Sequence, residues 1–184
     1  IMIKNTKIVG ILNITPDSFS DGGKYNDIES VTNHVNQLIS DGADIIDVGG
    51  QSTRPGAEKI SDKQEWQRLS PILKNIIDIC HNKNVQVSID TFYAFCALQA
   101  INMGVDYIND VSGFSDTKMI EAVKASKVKL IAMHSLTVPA DKSVNISDDI
   151  DVIAALKKWA ENKIDDLVNK GIDQSRIIFD PGIG

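Results

Sequence analysis

The strongest constraint on this chain is a repeated alternation of short apolar runs with longer stretches of helical spacing. The apolar runs lie at Lys7 to Leu12, Asp44 to Val48, Val85 to Ile89, Tyr107 to Ile108, Lys129 to Met133 and Ile177 to Phe179. Their continuous hydrophobicity is that of strands covered on both faces. Between them, Asp27 to Ser40, Lys63 to Asn82, Phe92 to Asn102, Asp116 to Ala125 and Asp148 to Asn169 have helical periodicity. Asp41-Gly42, Met103-Gly104 and Lys170-Gly171 supply helix stops before the next strand. Strand, helix, strand repeated in this way requires parallel pairing with right-handed crossovers, an α/β fold. No linker or low-complexity segment divides the 184 residues.

A closed (β/α) barrel and an open doubly wound sheet both satisfy the alternation, so the loops must separate them. No Gly-x-Gly-x-x-Gly or Walker-type glycine loop follows any strand, which weakens a nucleotide-binding open sheet. Polar residues instead stand at the ends of almost every strand: Asn13, Gln51 to Arg54, Asp90, Asn109, His134 and Asp180. Contributions from every strand to one mouth favour a TIM-type barrel, which takes eight strands and typically about 250 residues. Six strand-like runs are present, so the chain is expected to supply about the first six βα units.

Charge and cysteine usage narrow the partners. A formal net charge of −6 disfavours a nucleic-acid coat, because phosphate binding needs clustered positive charge. Cys80 and Cys96 show neither metal-ligand nor redox-pair spacing, and buried helix packing is the expected role, with a disulfide between them left open. No signal peptide or membrane-length apolar run is present, so a cytoplasmic protein with small-molecule substrates and no membrane partner is expected.

Each polar strand end also has a plain structural reading. Asp90 with Thr91 suits a cap for the helix beginning at Phe92. Asn109-Asp110 and Asp180-Pro181-Gly182 suit turns. Asp17-Ser18 suits a turn after Pro16, and a loop arginine such as Arg54 ordinarily lies in solvent. His134 is expected to cap or pack, and Trp66 and Trp159 to pack on helices. Taken together, however, Asp90, Asn109 and Asp180 put two carboxylates and an amide into one mouth. Such a set suits a planar heterocycle with an amidine-like N–H edge, because ionised carboxylates accept paired N–H donors.

The same residues carry a family resemblance. The segments GILNITPDSFSDGG (Gly10 to Gly23), GADIIDVGGQSTRPGA (Gly42 to Ala57), VSIDT (Val87 to Thr91), INDVSG (Ile108 to Gly113), AMH (Ala132 to His134) and FDPGIG (Phe179 to Gly184) resemble dihydropteroate synthases of the folate pathway. They span the whole chain in the family's order, and the first two are highly specific.

The resemblance implies a barrel enzyme joining p-aminobenzoate to 6-hydroxymethyl-7,8-dihydropterin diphosphate, with Mg²⁺ and release of diphosphate. It implies that Asp90, Asn109 and Asp180 hold the pterin ring, with Val111 and Met133 as apolar walls and Gly184 close by. Asn13 would stand at the Mg²⁺ and diphosphate end. Thr15 to Gly23 and Ser52 to Ala57 would be two mobile loops. Phe19, Ser18, Thr53 and Pro55 would shape the p-aminobenzoate pocket, and Asp17 and Arg54 would join Asp90 in serving the reaction. A homodimer and a fusion to a preceding folate-pathway enzyme are further implications.

Departures from the family pattern limit this reading. Gln51 stands where many relatives have glutamate, and the segment after His134, from Ser135 to Pro139, differs from the common sequence. The family's later lysine and its arginine and histidine of the diphosphate site have no counterpart up to Gly184. The chain is therefore expected to be the N-terminal portion of one barrel domain. Two rivals share part of the pattern, a pterin-binding methyltransferase barrel and a non-catalytic pterin-binding module.

Overall fold

A computed structural model of the chain describes residues 6–14, 24–51, 59–135 and 151–183. Its strands are β1 (Val9–Asn13), β2 (Ile45–Gly49), β3 (Gln86–Asp90), β4 (Tyr107–Asp110), β5 (Lys129–Met133) and β6 (Ile177–Asp180). The helices are α1 (Lys24–Ser40), α2 (Asp62–Asn82), α3 (Ala94–Met103), α4 (Thr117–Lys124) and α5 (Val152–Asn169), with a 3-10 turn at Gln174–Arg176 before β6. The strands form one sheet in the order β1-β2-β3-β4-β5-β6, and every neighbouring pair is parallel. A doubly wound sheet must reverse its strand order at a switch point. This sheet never reverses, which is the winding of a (β/α) barrel.

Strand periodicity divides the sheet into two faces. On one, Leu12, Ile46, Val48, Val87, Ile89, Ile108, Leu130 and Ala132 are buried in a core with helical residues such as Val35, Leu69, Ile76, Ala100 and Ile120. Burying each larger aliphatic chain here contributes about 1.5–3 kcal/mol relative to exposure. Gly10 of β1 lies under α1, where an added Cβ would stand 3.3 Å from Leu38 and 3.2 Å from Ala43. The other face carries Ile11 and Asn13, Asp47, Ser88 and Asp90, Asn109, and Asp180. At its centre Asp47 is 8% exposed and Ser88 fully buried, although no helix covers them; at its edges Ile11 is 64% and Ile178 40% exposed. Burial at the middle of this face with exposure at its edges fits a sheet curled as in a barrel.

Local signals fix the elements. Ser61 caps α2, its hydroxyl accepting from the Gln64 amide at 3.2 Å while the Gln64 side chain accepts from the Ser61 amide at 2.9 Å, a capping box. Asp116 and Asp151 cap α4 and α5 with their carboxylates. Gly104 ends α3 with φ of 101°, a left-handed conformation that glycine adopts without a Cβ penalty. Cys80 and Cys96 are both free and buried, as packing residues of α2 and α3. His134 packs its ring edge-on against Trp159 at 5.0 Å, and Trp159 in turn meets Phe179 at 5.5 Å. Trp66 meets Phe95 at 6.4 Å. Among the described residues no helix is long and apolar enough to cross a membrane.

Candidate active site

Register brings the polar strand ends together. Asn13 pairs with Gly49, Gly49 with Asp90 and Asp90 with Asn109, so one row crosses four strands at their carboxyl ends. Met133 and Asp180 pair two residues beyond the continuation of that row, at the ends of β5 and β6. In-register neighbours on parallel strands point to the same face. The row therefore converges on the side opposite the helices. Gly49 leaves its middle open, since an added Cβ would stand 3.3 Å from Asn13 Oδ1 and 3.7 Å from Asp90 Oδ2.

Unpaired acceptors distinguish this mouth. Among the described residues, Asp47 Oδ1, Gln51 Oε1, Ser88 Oγ, Asp90 Oδ1 and Asn109 Oδ1 are buried and lack a hydrogen-bond partner. A buried polar atom without a partner costs about 1–3 kcal/mol. The acceptors among them, on Asp47, Gln51, Asp90 and Asn109, are a cost that a ligand rich in N–H donors would remove.

Electrostatics reinforce the same reading. Burial first, and then the negative charges of Asp47, Glu65 and Asp110, hold the Asp90 carboxyl well above the usual carboxylate range. Burial also raises Asp47, against the side-chain interactions with Ser88 and Asn109 that favour its ionised form. Glu65 of α2, 1% exposed, is pushed by burial up to about 7 even though it accepts the Thr91 hydroxyl at 3.0 Å. Such a crowd of buried carboxyls is poised for a donor-rich, partly cationic ligand.

The alternatives weighed from sequence separate cleanly. Asp90 does not cap a helix, because α3 starts at Ala94 and its first turn receives no side-chain cap from Tyr93. Thr91 serves locally instead, its hydroxyl accepting from the Tyr93 amide at 3.1 Å. Of Asn109-Asp110, Asp110 is the turn former: its carboxylate accepts from the amides of Ser112 at 2.7 Å and Phe114 at 3.0 Å, leaving Asn109 to the mouth. Asp180 combines both roles. It ends β6 in the mouth and accepts from the Gly182 amide at 2.8 Å. Val111 is buried just past β4, and Met133 closes β5 half-buried. Asp17, Ser18, Phe19, Thr53, Arg54, Pro55 and Gly184 lie outside the described residues.

Sequence reasoning missed Asp47. Its Oδ2 accepts from Asn109 Nδ2 at 2.9 Å, tying β2 to β4 beneath the row. The available signal was a charge inside the apolar run Ile45-Ile46-Asp47-Val48. Glu65 was missed too, since a glutamate in the first turn of a helix ordinarily complements the helix dipole at the surface.

Comparison with known proteins gives the family. Residues 9–184 match the family described as "Pterin binding enzyme". Dihydropteroate synthase of Clostridium beijerinckii is 44% identical over 182 residues, covering 98% of this chain and 64% of that protein. The chain thus spans about two-thirds or less of the length of such relatives. Among solved structures, dihydropteroate synthase of Anaplasma phagocytophilum with bound 6-hydroxymethylpterin-monophosphate has 44% identity and a TM-score of 0.86, over 97% of this chain and 68% of that one. Dihydropteroate synthase of Xanthomonas albilineans with 4-aminobenzoic acid has 32% identity and a TM-score of 0.83, over 97% of this chain and 62% of that one. With the motifs, the sequential barrel winding and these matches in agreement, the chain belongs to the pterin-binding enzyme family, as a relative of the dihydropteroate synthases.

Proposed function

We propose that this chain is the N-terminal part of a dihydropteroate synthase, condensing 6-hydroxymethyl-7,8-dihydropterin diphosphate with p-aminobenzoate to give dihydropteroate and diphosphate. The observation that carries this is the set of unpaired buried acceptors on Asp90 and Asn109, in one row across adjacent strands. A pterin ring presents amino and ring N–H donors along one edge, and paired acceptors at fixed spacing select such an edge. Asp180, at the end of β6, would complete the grip, and Val111 and Met133 would flank the ring. The exposed apolar edges at Ile11 and Ile178 and the length of the relatives support a barrel whose remaining units follow Gly184.

An aromatic amine is a weak nucleophile, so the reaction is best served by letting the pterin carbon–oxygen bond break before the amine attacks. Diphosphate then departs with the bonding electron pair, and the amine adds to the resulting ring-stabilised cation and loses a proton. The task is electrostatic: a negatively charged pocket beside the ring stabilises the cation. Asp90 and Asp180 suit that part. Asn13 offers one hard oxygen at the rim beside the opening left by Gly49, which fits Mg²⁺, an ion that takes few protein oxygens and fills its shell with phosphate and water. When bound there, Mg²⁺ would offset the charge of the departing diphosphate. The segments 15–23 and 52–57, including Asp17, Ser18, Phe19, Thr53, Arg54 and Pro55, would exclude water and seat the p-aminobenzoate.

The test is diphosphate release by the full-length protein supplied with the pterin diphosphate. Release that depends on added p-aminobenzoate, with dihydropteroate as co-product, is the expected result. Tight pterin binding with no such release would overturn the synthase reading in favour of a binding module.

A further inference from the structure

An asparagine amide has an acceptor end and a donor end of nearly the same shape, and a flip exchanges them. For Asn109 the choice decides which ligand edge the mouth accepts. The donor end is spent on Asp47, with Nδ2 to Oδ2 at 2.9 Å, and the acceptor Oδ1 is left buried and unpaired. With Asp47 ionised, flipping the amide would press Oδ1 against a carboxylate oxygen, acceptor against acceptor. β2 and β4 are not neighbours, because β3 lies between them. Asp47 crosses that gap at the level of Ser88, its register partner on β3, where a small fully buried side chain leaves room beneath Asp90. Asp47 is itself held on a buried strand.

We infer that Asp47 is a positioning residue that locks the amide of Asn109 with its carbonyl toward the ligand, so that the mouth accepts N–H donors and refuses ligands offering an acceptor there. The inference rests on the pterin reading of the site. Asp47 acts through Asn109, which it holds by a hydrogen bond.

The experiment is calorimetric titration of the full-length protein and its variants with a 6-hydroxymethylpterin. Asp47→Asn keeps the shape but can donate as well as accept, so it no longer enforces one orientation. About tenfold weaker binding is expected for Asp47→Asn, and a loss at least as large for Asn109→Ala. In the double variant the loss should equal that of Asn109→Ala alone within about twofold, because the two residues act as one unit. Losses that multiply would show that Asp47 acts independently, and unchanged binding by Asp47→Asn would also overturn the proposal. A measurement on the unaltered protein guards against a variant that fails to fold: Asn109 side-chain amide protons should be protected from hydrogen exchange without ligand. Rapid exchange there would sink the idea. Asp90→Asn separates the role of Asp47 from the pterin reading beneath it. If it too binds normally, the pterin reading itself fails; if it loses binding while Asp47→Asn does not, only the role of Asp47 fails.

Discussion

The two ends of the sheet are both polar, yet they treat their polar groups in opposite ways. At the amino end nearly every group is paired. Asp106 accepts from the Val87 amide at 2.8 Å and meets His81 Nε2 at 2.9 Å. Asp44 accepts from the Ile8 amide at 2.8 Å, and Gln86 accepts from Lys7 and from the Tyr107 hydroxyl at 3.0 Å. At the carboxyl end, Asp47, Gln51, Asp90 and Asn109 each keep a buried acceptor without a partner. Polarity alone therefore does not mark the site; unmet hydrogen-bonding capacity does. The amino end spends its polar groups on the fold, and the carboxyl end, on the proposed reading, keeps them for a ligand at a cost in stability.

Substitutions at the two ends should fail differently, and the largest effect on stability is expected beside the mouth, at Glu65. From α2 it accepts the hydroxyl of Thr91, the residue next to Asp90. Its carboxyl titrates at about 7 in the folded protein against an ordinary 4.5. The native state therefore holds this proton more tightly than the unfolded one. Its stabilising effect is fully present below pH 4.5 and is lost as the pH rises through about 7. Each tenfold difference in proton affinity is worth about 1.4 kcal/mol, so the loss across that window is on the order of 3 kcal/mol. Denaturant unfolding between about pH 5 and 8 should show this slope, and Glu65→Gln should flatten it. An equal slope in both proteins would mean that Glu65 is not the group responsible.

A smaller effect is expected at the amino end alone. Asp106→Ala strips the Val87 amide of its acceptor and should cost about 2 kcal/mol, read from the denaturation midpoint. Pterin affinity should not change. A parallel loss of affinity would blur the division between the ends.

Smallest is Gly49→Ala at the carboxyl end. Its Cβ would stand 3.3 Å from Asn13 Oδ1, narrowing the mouth without meeting any backbone atom closer than 3.7 Å, that of Gln51. About tenfold weaker binding of the pterin diphosphate is expected with little change in melting temperature. Its neighbour offers the reverse contrast, because a Cβ on Gly50 would meet Glu65 Cγ at 2.9 Å and Leu69 Cγ at 3.0 Å. Gly50→Ala should therefore be felt in stability. The same pattern for both glycines would contradict the view that one lines a mouth and the other a packed helix.

Much of this architecture was legible in the sequence, and what was not follows from what hydrophobicity reports. Apolar runs mark side-chain burial, so they located all six described strands but ended five of them one or two residues early. Asn13, Asp90, Asn109 and Asp180 read as loop residues, yet their backbones belong to the ladder. The ladder continues where side-chain chemistry changes. Motifs singled out Asp90, Asn109 and Asp180 because they resemble those of a known family, and the structure sets these residues at the carboxyl ends of β3, β4 and β6. Asp47 escaped because a single carboxylate inside an apolar run leaves the run's character unchanged, and its partner lies 62 positions away in sequence. Such pairings arise only when β2, β3 and β4 come into register. Apart from the motif, the choice between turn and site at Asn109-Asp110 could not be read from residue type, since both residues are good turn formers and only strand parity sends one to each face.

The proposed role of Asp90 is to keep its buried, unpaired Oδ1 for a ligand at the expense of the fold. Asp90→Asn in the full-length protein tests this most directly, with thermal unfolding and pterin calorimetry measured on the same samples near neutral pH. Removing a carboxyl whose ionisation burial opposes should raise stability by about 1 kcal/mol, or roughly 2–4 °C for a protein of this size. The same change should weaken pterin binding by about a hundredfold or more, near 2.7 kcal/mol. Affinity and stability moving in opposite directions is the predicted result. A variant that melts lower while binding pterin as before would make Asp90 a structural residue and contradict its role in the mouth.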